Sequence, residues 1–137
     1  MKSFEVSFTK TVSESDIYTF AGITGDFSPN HVDETFMRRT PYGRRIAHGA
    51  LLVGYMSAAS TRAIERGLAA IPGATPVSLG YDRIRFLKPV FVGDTITATY
   101  TVTAIDESRA RSEASISVHN QDALLVAVAV HVMKWVR

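Results

Sequence analysis

The sequence contains no cysteine. Disulfide bonds, thiolate nucleophiles and cysteine-ligated metals are therefore excluded, although this absence alone says little about the compartment. The chain also lacks a long apolar run, because its most apolar segment, residues 123–133, is too short to span a bilayer. The N-terminus alternates polar and apolar residues, unlike a signal peptide. These absences predict a cytoplasmic protein that does not interact with membranes.

Neither sign of charge is in large excess. Lysine and arginine number 15 and aspartate and glutamate number 13, which gives a net charge of +2. So small an imbalance gives no reason to expect a nucleic-acid partner. The chain has no glycine-rich phosphate loop, no GxSxG elbow and no zinc-binding signature. We therefore expect neither a metal nor a redox cofactor.

The hydrophobic pattern predicts one domain built from strands and a long helix. A chain of 137 residues suffices for one core and is too short for two, so we assign residues 1–137 to a single domain. Apolar and polar residues alternate in the first strand and in three later segments, and residues 123–136 are nearly continuously apolar and rich in valine. Both patterns predict strands. Apolar residues at three- and four-residue intervals predict a helix from about His48 to Arg66. The predicted strands are 3–9, 83–86, 95–104, 110–119 and 123–136.

The order of these elements predicts the fold class. Strands joined by short turns form an antiparallel sheet, and the one long helix must cover a face of it. The helix carries small residues on several sides, so a sheet can pack closely around it. We predict an α+β domain in which a long central helix is wrapped by a curved antiparallel sheet of five or more strands. Residues 22–31 are predicted to be a turn-rich loop.

An acid and an imidazole, Asp26 and His31, lie five positions apart in that loop, and Pro29 stiffens the chain between them. An aspartate and a histidine held together can bind and deprotonate a water near neutral pH. Seventeen residues after His31, His48 and Gly49 begin the predicted helix, whose free N–H groups can stabilise an oxyanion. Together these features suggest adding water to an activated double bond, or removing it. His48 could be a cap or a packing residue, and we assign it no chemistry.

Each of these residues also has a structural interpretation. Asp26 could cap a turn, His31 could be a surface loop residue, and Gly49 could serve only close packing. The other two histidines, His119 and His131, lie in predicted strands without an acidic or histidine partner at ligand spacing, and we interpret both as structural. The arginine pairs at 38–39 and 44–45 are typical of solvated loops, but could also bind a phosphate-bearing ligand.

The segment 20–33 (FAGITGDFSPNHVD), followed by 45–49 (RIAHG), resembles the MaoC-like (R)-specific enoyl-CoA hydratases. The family motif is roughly Gly-Asp-x-Asn-Pro-hydrophobic-His, followed by a helix that starts with Ile/Val-x-His-Gly. The segment 86–94 (FLKPVFVGD) is similar to the family's entry into its second hairpin, so the resemblance covers nearly the whole chain. Two positions differ, since Ser28 replaces the usual asparagine and Asn30 replaces an apolar residue.

The resemblance implies a hotdog fold, a homodimer or dimer of dimers, and an acyl-CoA thioester as substrate, with no cofactor beyond that CoA. It implies reversible hydration of a trans-2-enoyl-CoA to an (R)-3-hydroxyacyl-CoA. Asp26 and His31 would hold the water, and the N–H of Gly49 would bind the thioester oxygen. Which member of the pair is the base is left open. The residues assigned to substrate binding are Ser28, Asn30 and Ser57.

Three other functions fit the same fold. The protein could be a 3-hydroxyacyl-carrier-protein dehydratase, a hotdog thioesterase, or a hotdog protein that binds acyl-CoA without turning it over. The presence of both Asp26 and His31 argues against the last of these. A thioesterase would release the free CoA thiol, whereas hydration removes only the conjugated double bond.

Overall fold

The computed structural model describes residues 4–137. Four helices follow the first strand and precede the other strands. The elements, in chain order, are β1 (Phe4–Thr11), α1 (Glu14–Thr24), α2 (Pro29–Val32), α3 (Glu34–Met37), α4 (Gly49–Glu65), β2 (Thr75–Phe86), β3 (Thr95–Asp106), β4 (Arg111–His119) and β5 (Leu125–Val136). No helix within residues 4–137 has the length and apolar character that a bilayer crossing requires.

The five strands form one curved antiparallel sheet in the order β1-β3-β4-β5-β2. The strands β1 and β2 are therefore its two edges. Helix α4 packs against β1 and β3, so the sheet wraps around the helix. This arrangement is the hotdog fold, and it confirms the predicted α+β class.

The core lies between α4 and the inner face of the sheet. Small side chains on the buried side of α4 allow the strands to approach it closely, and large apolar residues of the sheet fill the remaining space. Burying each large apolar side chain stabilises the fold by roughly 1.5–3 kcal/mol. The principal core residues are Leu52, Met56, Ala59, Ala63, Ile96, Tyr100, Ile116, Val118 and Met133.

The prediction of a turn-rich loop over residues 22–31 is partly wrong. Helix α1 continues to Thr24, and a helical turn begins at Pro29. Proline is favoured at the first helical position because its missing N–H would have no partner there. The turn-forming composition of this segment hides both helical pieces.

The strand predicted at residues 83–86 is longer than expected. It begins at Thr75 and forms the edge strand β2. Register shifts fall between Ser78 and Gly80 and between Asp82 and Arg85, and most of the strand is exposed. Bulges and exposure of both faces of the strand remove the alternation of polar and apolar residues by which a strand is recognised in a sequence.

Candidate active site

The end of α1 positions Asp26. Gly25 ends the helix with a φ of +85°, a left-handed conformation that glycine adopts without strain, and its N–H donates to the Ala21 carbonyl. The N–H of Asp26 donates to Thr24 Oγ1, and Asp26 Oδ1 accepts from the N–H of Ser28, each at 3.2 Å. These local bonds hold an exposed carboxylate at the start of the turn.

His31 lies in α2 and is held by the peptide unit of Ile46. Its Nδ1 is 2.8 Å from the Ile46 carbonyl oxygen, and the Ile46 N–H donates to the Asn30 carbonyl at 3.0 Å. A carbonyl oxygen can only accept, so this hydrogen bond assigns the proton to Nδ1. The Nε2 of the neutral ring therefore has a free lone pair, as a general base requires.

Ile46 is itself anchored through Arg45. The backbone N–H and Nε of Arg45 each donate to a carboxylate oxygen of Glu34 at 3.1 Å, and Nη1 donates to Glu14 at 2.7 Å and to the Tyr18 hydroxyl. The hydrogen bond from Arg45 is the main cause of a lowered pKa of the Glu14 carboxyl. Arg45 is thus engaged with helices α1 and α3, and the prediction that it is a solvated loop side chain is wrong. Binding of a phosphate-bearing ligand by Arg45 stays a prediction.

His48 is buried between the two predicted catalytic residues, with 1% of its surface exposed. Its Nε2 lies 3.0 Å from the backbone oxygen of Asp26. Its ring stacks on the ring of His31, with centroids 3.8 Å apart and planes inclined by 26°. Sequence reasoning assigned no chemistry to His48, because these contacts reach 22 and 17 residues back along the chain. The only feature of the neighbouring sequence that pointed to a role for His48 in the site was its position directly before Gly49.

Gly49 begins α4 and borders a cleft. The first N–H groups of a helix have no intrahelical partner, and the helix dipole favours negative charge near them. A Cβ atom at Gly49 would lie 2.6 Å from Cε2 of Phe86, so that ring covers the glycine closely. The cleft has a volume of about 270 Å³ and is largely apolar. Its walls include His31, Tyr42, Ile46, Gly49, Leu52, Phe86, Lys88 and Val90.

The geometry of the Asp26, His31 and His48 cluster suits a bound water. Each residue places one carboxylate oxygen or ring nitrogen within 4.8 Å of the others. Two hydrogen bonds of about 2.8 Å to one water span about 4.6 Å between the two acceptors, so Asp26 and His31 can share a water. The imidazole planes of His31 and His48 are inclined by only 26°, so the ring lone pairs lie in nearly parallel planes, which is a poor geometry for chelating one metal.

Ser28 is the N-cap residue of α2, and Asn30 lies within that helical turn, directly before His31. Ser28 is half-buried, and its N–H supports the Asp26 carboxylate. Asn30 is exposed, and its carbonyl accepts the Ile46 N–H. Their backbones therefore brace the site. Contact of either side chain with a substrate stays a prediction.

Ser57 lies eight residues after Gly49 on α4 and is exposed. It does not belong to the cleft wall formed by the described residues. It lies beside Tyr81 of β2, where burial raises the pKa of the tyrosine and a hydrogen bond with Ser57 partly opposes that shift. The assignment of Ser57 to substrate binding stays a prediction.

Fold and site together define a hotdog protein with an aspartate–histidine pair at the start of its central helix. The sequence model of the MaoC-like domain matches residues 2–123. The chain belongs to the MaoC-like domain family.

Named relatives and solved structures agree with this family. An (R)-specific enoyl-CoA hydratase of Rhodospirillum rubrum is 43% identical over 99 residues, which cover 72% of this chain and 63% of that protein. A 3-hydroxybutyryl-CoA dehydratase of Methylorubrum extorquens is 36% identical over 117 residues, covering 84% of this chain and 69% of that one. The structure of the (R)-hydratase from Aeromonas caviae involved in PHA biosynthesis superposes with a TM-score of 0.83 at 29% identity, covering 95% of this chain and 92% of that one. The match to the Rhodospirillum protein thus spans less than two thirds of that protein.

Proposed function

We propose that this protein catalyses the reversible hydration of a trans-2-enoyl-CoA to an (R)-3-hydroxyacyl-CoA. The observation that carries the proposal is the position of His31. Its Nδ1 is bonded to the Ile46 carbonyl and leaves Nε2 open, it lines the same cleft as Gly49, and one of its ring nitrogens lies within 4.8 Å of an Asp26 carboxylate oxygen. The names of the two relatives, an (R)-specific enoyl-CoA hydratase and a 3-hydroxybutyryl-CoA dehydratase, support this reaction class.

In the proposed hydration, Asp26 and His31 hold the attacking water. Its two O–H groups donate to the Asp26 carboxylate and to Nε2 of His31, so an oxygen lone pair is left to face Cβ of the substrate. As the C–O bond forms, Nε2 takes one proton from the water, and the double-bond electrons move onto the thioester oxygen. The Ile46 carbonyl, which accepts the Nδ1–H, stabilises the imidazolium that results.

The negative charge of the enolate falls at the start of α4. The Gly49 N–H binds the enolate oxygen, and the helix dipole adds to this stabilisation. The proton then passes from His31 Nε2 to Cα, which restores the neutral ring and the thioester carbonyl. The elements of one water are thereby added across the double bond, and dehydration follows the same steps in reverse. The Asp26 carboxylate remains ionised throughout.

A crotonyl-CoA assay tests the proposal directly. The purified protein is mixed with crotonyl-CoA and a thiol reagent, and the absorbance of the enoyl thioester and of the released thiol are followed together. Loss of the enoyl absorbance without thiol release is expected. Thiol release would identify a thioesterase, and binding of crotonyl-CoA without either change would identify a non-catalytic protein. The rate with crotonyl-carrier protein, measured in parallel, separates a hydratase of CoA esters from a carrier-protein dehydratase.

We also propose that two copies associate through β2. This strand is an edge of the sheet and exposes Val77, Leu79 and Phe86 at 42%, 51% and 51%. An exposed apolar edge strand is prone to pair with another strand, and pairing with β2 of a second copy would extend the sheet across both copies.

Light scattering after size exclusion measures this association. The protein is expected to elute at twice the chain mass of 15.0 kDa or a multiple of that. Leu79→Lys is expected to yield monomer, while the control Leu124→Lys, in a turn and equally exposed at 51%, leaves the mass unchanged. A monomeric parent would contradict the proposal.

A further inference from the structure

His48 is a buried polar side chain that the proposed reaction does not use. It occupies the N-cap position of α4, yet its side chain makes no capping hydrogen bond. It is 1% exposed and does not belong to the cleft wall formed by the described residues. His48 is therefore not exposed to the cleft, and we expect any effect of His48 on the reaction to pass through the residues it contacts.

The hydrogen bond to Asp26 explains why this buried residue is a histidine. The Asp26 carbonyl can only accept, so Nε2 of His48 carries the proton and Nδ1 carries the lone pair. That Nδ1 is buried and has no hydrogen-bond partner among residues 4–137. An unpaired buried nitrogen is unfavourable, so a phenylalanine would serve packing better. The N–H donated to Asp26 is what a phenylalanine could not supply.

The same ring also fixes His31. One contact is the stacking on His31 at 3.8 Å, and another is with Phe20 of α1, whose ring centroid is 4.7 Å away and tilted by 58°. Gly49 follows His48 directly in the chain, so the start of α4 is held by these contacts as well. One side chain therefore joins the backbone of Asp26, the ring of His31 and the position of the Gly49 N–H.

We infer that His48 is a positioning residue that sets the distance between the Asp26 carboxylate and the His31 ring. The other hydrogen bonds of Asp26 in the described part of the chain reach only Thr24 and Ser28, so the His48 N–H is its link to the rest of the fold. A misplacement of about 1 Å in a catalytic group can reduce a rate about 100-fold. The inference rests on the proposed hydratase function.

Two variants separate the donated hydrogen bond from the packing. His48→Phe keeps an aromatic ring on His31 and removes the N–H, whereas His48→Gln keeps an amide N–H and loses the ring. With crotonyl-CoA, we expect kcat of His48→Phe to fall about 10- to 100-fold while KM changes less than about threefold. We expect kcat of His48→Gln to exceed that of His48→Phe by at least about threefold.

A control variant shows whether the loss of any buried hydrogen bond lowers kcat to the same extent. Ser112 of β4 accepts a hydrogen bond from Trp135 Nε1 at 3.0 Å and is 2% exposed. Ser112→Ala removes this acceptor outside the cleft. We expect it to lower the melting temperature and to leave kcat within about twofold of the parent.

The outcomes are decisive in both directions. A folded His48→Phe protein with a kcat within about twofold of the parent overturns the inference, as does a His48→Gln protein no more active than His48→Phe. If His48→Phe does not fold, nitrogen NMR of the parent protein tests the inference instead. The inference requires the tautomer of His48 that is protonated at Nε2. Finding the other tautomer overturns it. A parent that hydrates no enoyl-CoA overturns the proposed function and this inference with it, whereas an active parent with an equally active His48→Phe overturns this inference alone.

Discussion

His31 and His131 differ in how many of their ring nitrogens are hydrogen-bonded to protein. His31 of α2, which lines a cleft with Gly49 at the start of α4, is half-buried and donates only Nδ1–H, to the Ile46 carbonyl. Inside the sheet, His131 of β5 is 0% exposed and uses both nitrogens. Its Nδ1 is 2.7 Å from the Tyr100 hydroxyl, and its Nε2 is 2.7 Å from the Ser78 hydroxyl.

The difference separates a histidine that has a nitrogen open for proton transfer from one that has none. His31 has a lone pair free beside a cleft, so it can take a proton and return it. His131 has no free nitrogen, and burial lowers its pKa to about 4, so it stays neutral near neutral pH. Hydrogen-bond saturation and burial fit the structural interpretation of His131, whereas one open nitrogen fits the proposed role of His31.

The largest expected effect follows from removing the proposed catalytic groups. General acid–base groups contribute about 100- to 10,000-fold to a rate, so Asp26→Asn and His31→Gln should each lower kcat for crotonyl-CoA hydration by that factor. The Asp26 side chain is exposed and His31 is half-buried, so the melting temperature should change little. Steady-state kinetics and thermal unfolding of the same preparations measure both quantities.

Matched controls sharpen that result. Asp122→Asn and His119→Asn change the same residue types outside the cleft, in a turn and on β4. Both should keep the parent kcat. Near-parent activity in the Asp26 and His31 variants would remove the basis for treating His31 and His131 as functionally different.

The surroundings of His31 and of His131 could be predicted from the sequence to different degrees. The alternating threonines of β3 and the apolar spacing of α4 predicted those elements, because each buries one face along a regular element. Asp26, His31 and Gly49 were predicted because they lie in local motifs. The structure places Asp26 within 4.8 Å of His31, and it places His31 and Gly49 in one cleft whose wall does not include Asp26. His48 was missed as a site residue, and so were the hydroxyl partners of His131. Their contacts join distant parts of the chain, and no local pattern encodes them.

Removing the imidazole of His131 should affect stability rather than chemistry. His131→Phe leaves the buried Tyr100 hydroxyl without its partner and removes the partner of the hydroxyl of Ser78, an exposed residue, which should lower the free energy of unfolding by about 1–3 kcal/mol. The kcat per folded molecule should be unchanged. Urea unfolding and active-fraction kinetics provide the two measurements.

A triple variant tests whether the lost hydrogen bonds cause the expected loss of stability in His131→Phe. Adding Tyr100→Phe and Ser78→Ala to His131→Phe removes the unpaired hydroxyls and should recover part of the lost stability. No recovery would show that packing volume, and not hydrogen bonding, dominates the loss.

The same histidine predicts a pH dependence of stability. The pKa of His131 is about 4 in the folded protein and 6.5 for an unperturbed histidine, so the unfolded chain binds more protons between these values. Its contribution is complete above about pH 6.5 and is lost as the pH falls toward 4, by up to about 3 kcal/mol. Carboxylates such as Glu14, whose pKa is also lowered, act in both proteins and cancel in a difference. The parent should therefore lose more stability than His131→Phe between pH 7 and 4.5, and parallel losses would contradict this.

The smallest expected effects come from two glycines of α4. Gly49→Ala forces the Phe86 ring aside by placing a Cβ 2.6 Å from Cε2, and it should lower kcat about tenfold by disturbing the oxyanion contact. Gly54→Ala meets no atom within 4 Å and should raise the free energy of unfolding by about 0.8–1 kcal/mol without changing kcat. Equal activities of the two variants would show that the start of α4 has no special role.

A crystal structure with 3-hydroxybutyryl-CoA bound tests the central claim most directly. The account predicts that the 3-hydroxyl lies within hydrogen-bond distance of both the Asp26 carboxylate and Nε2 of His31, with the thioester oxygen on the Gly49 N–H. A thioester bound elsewhere, or a hydroxyl that contacts neither Asp26 nor His31, would contradict it.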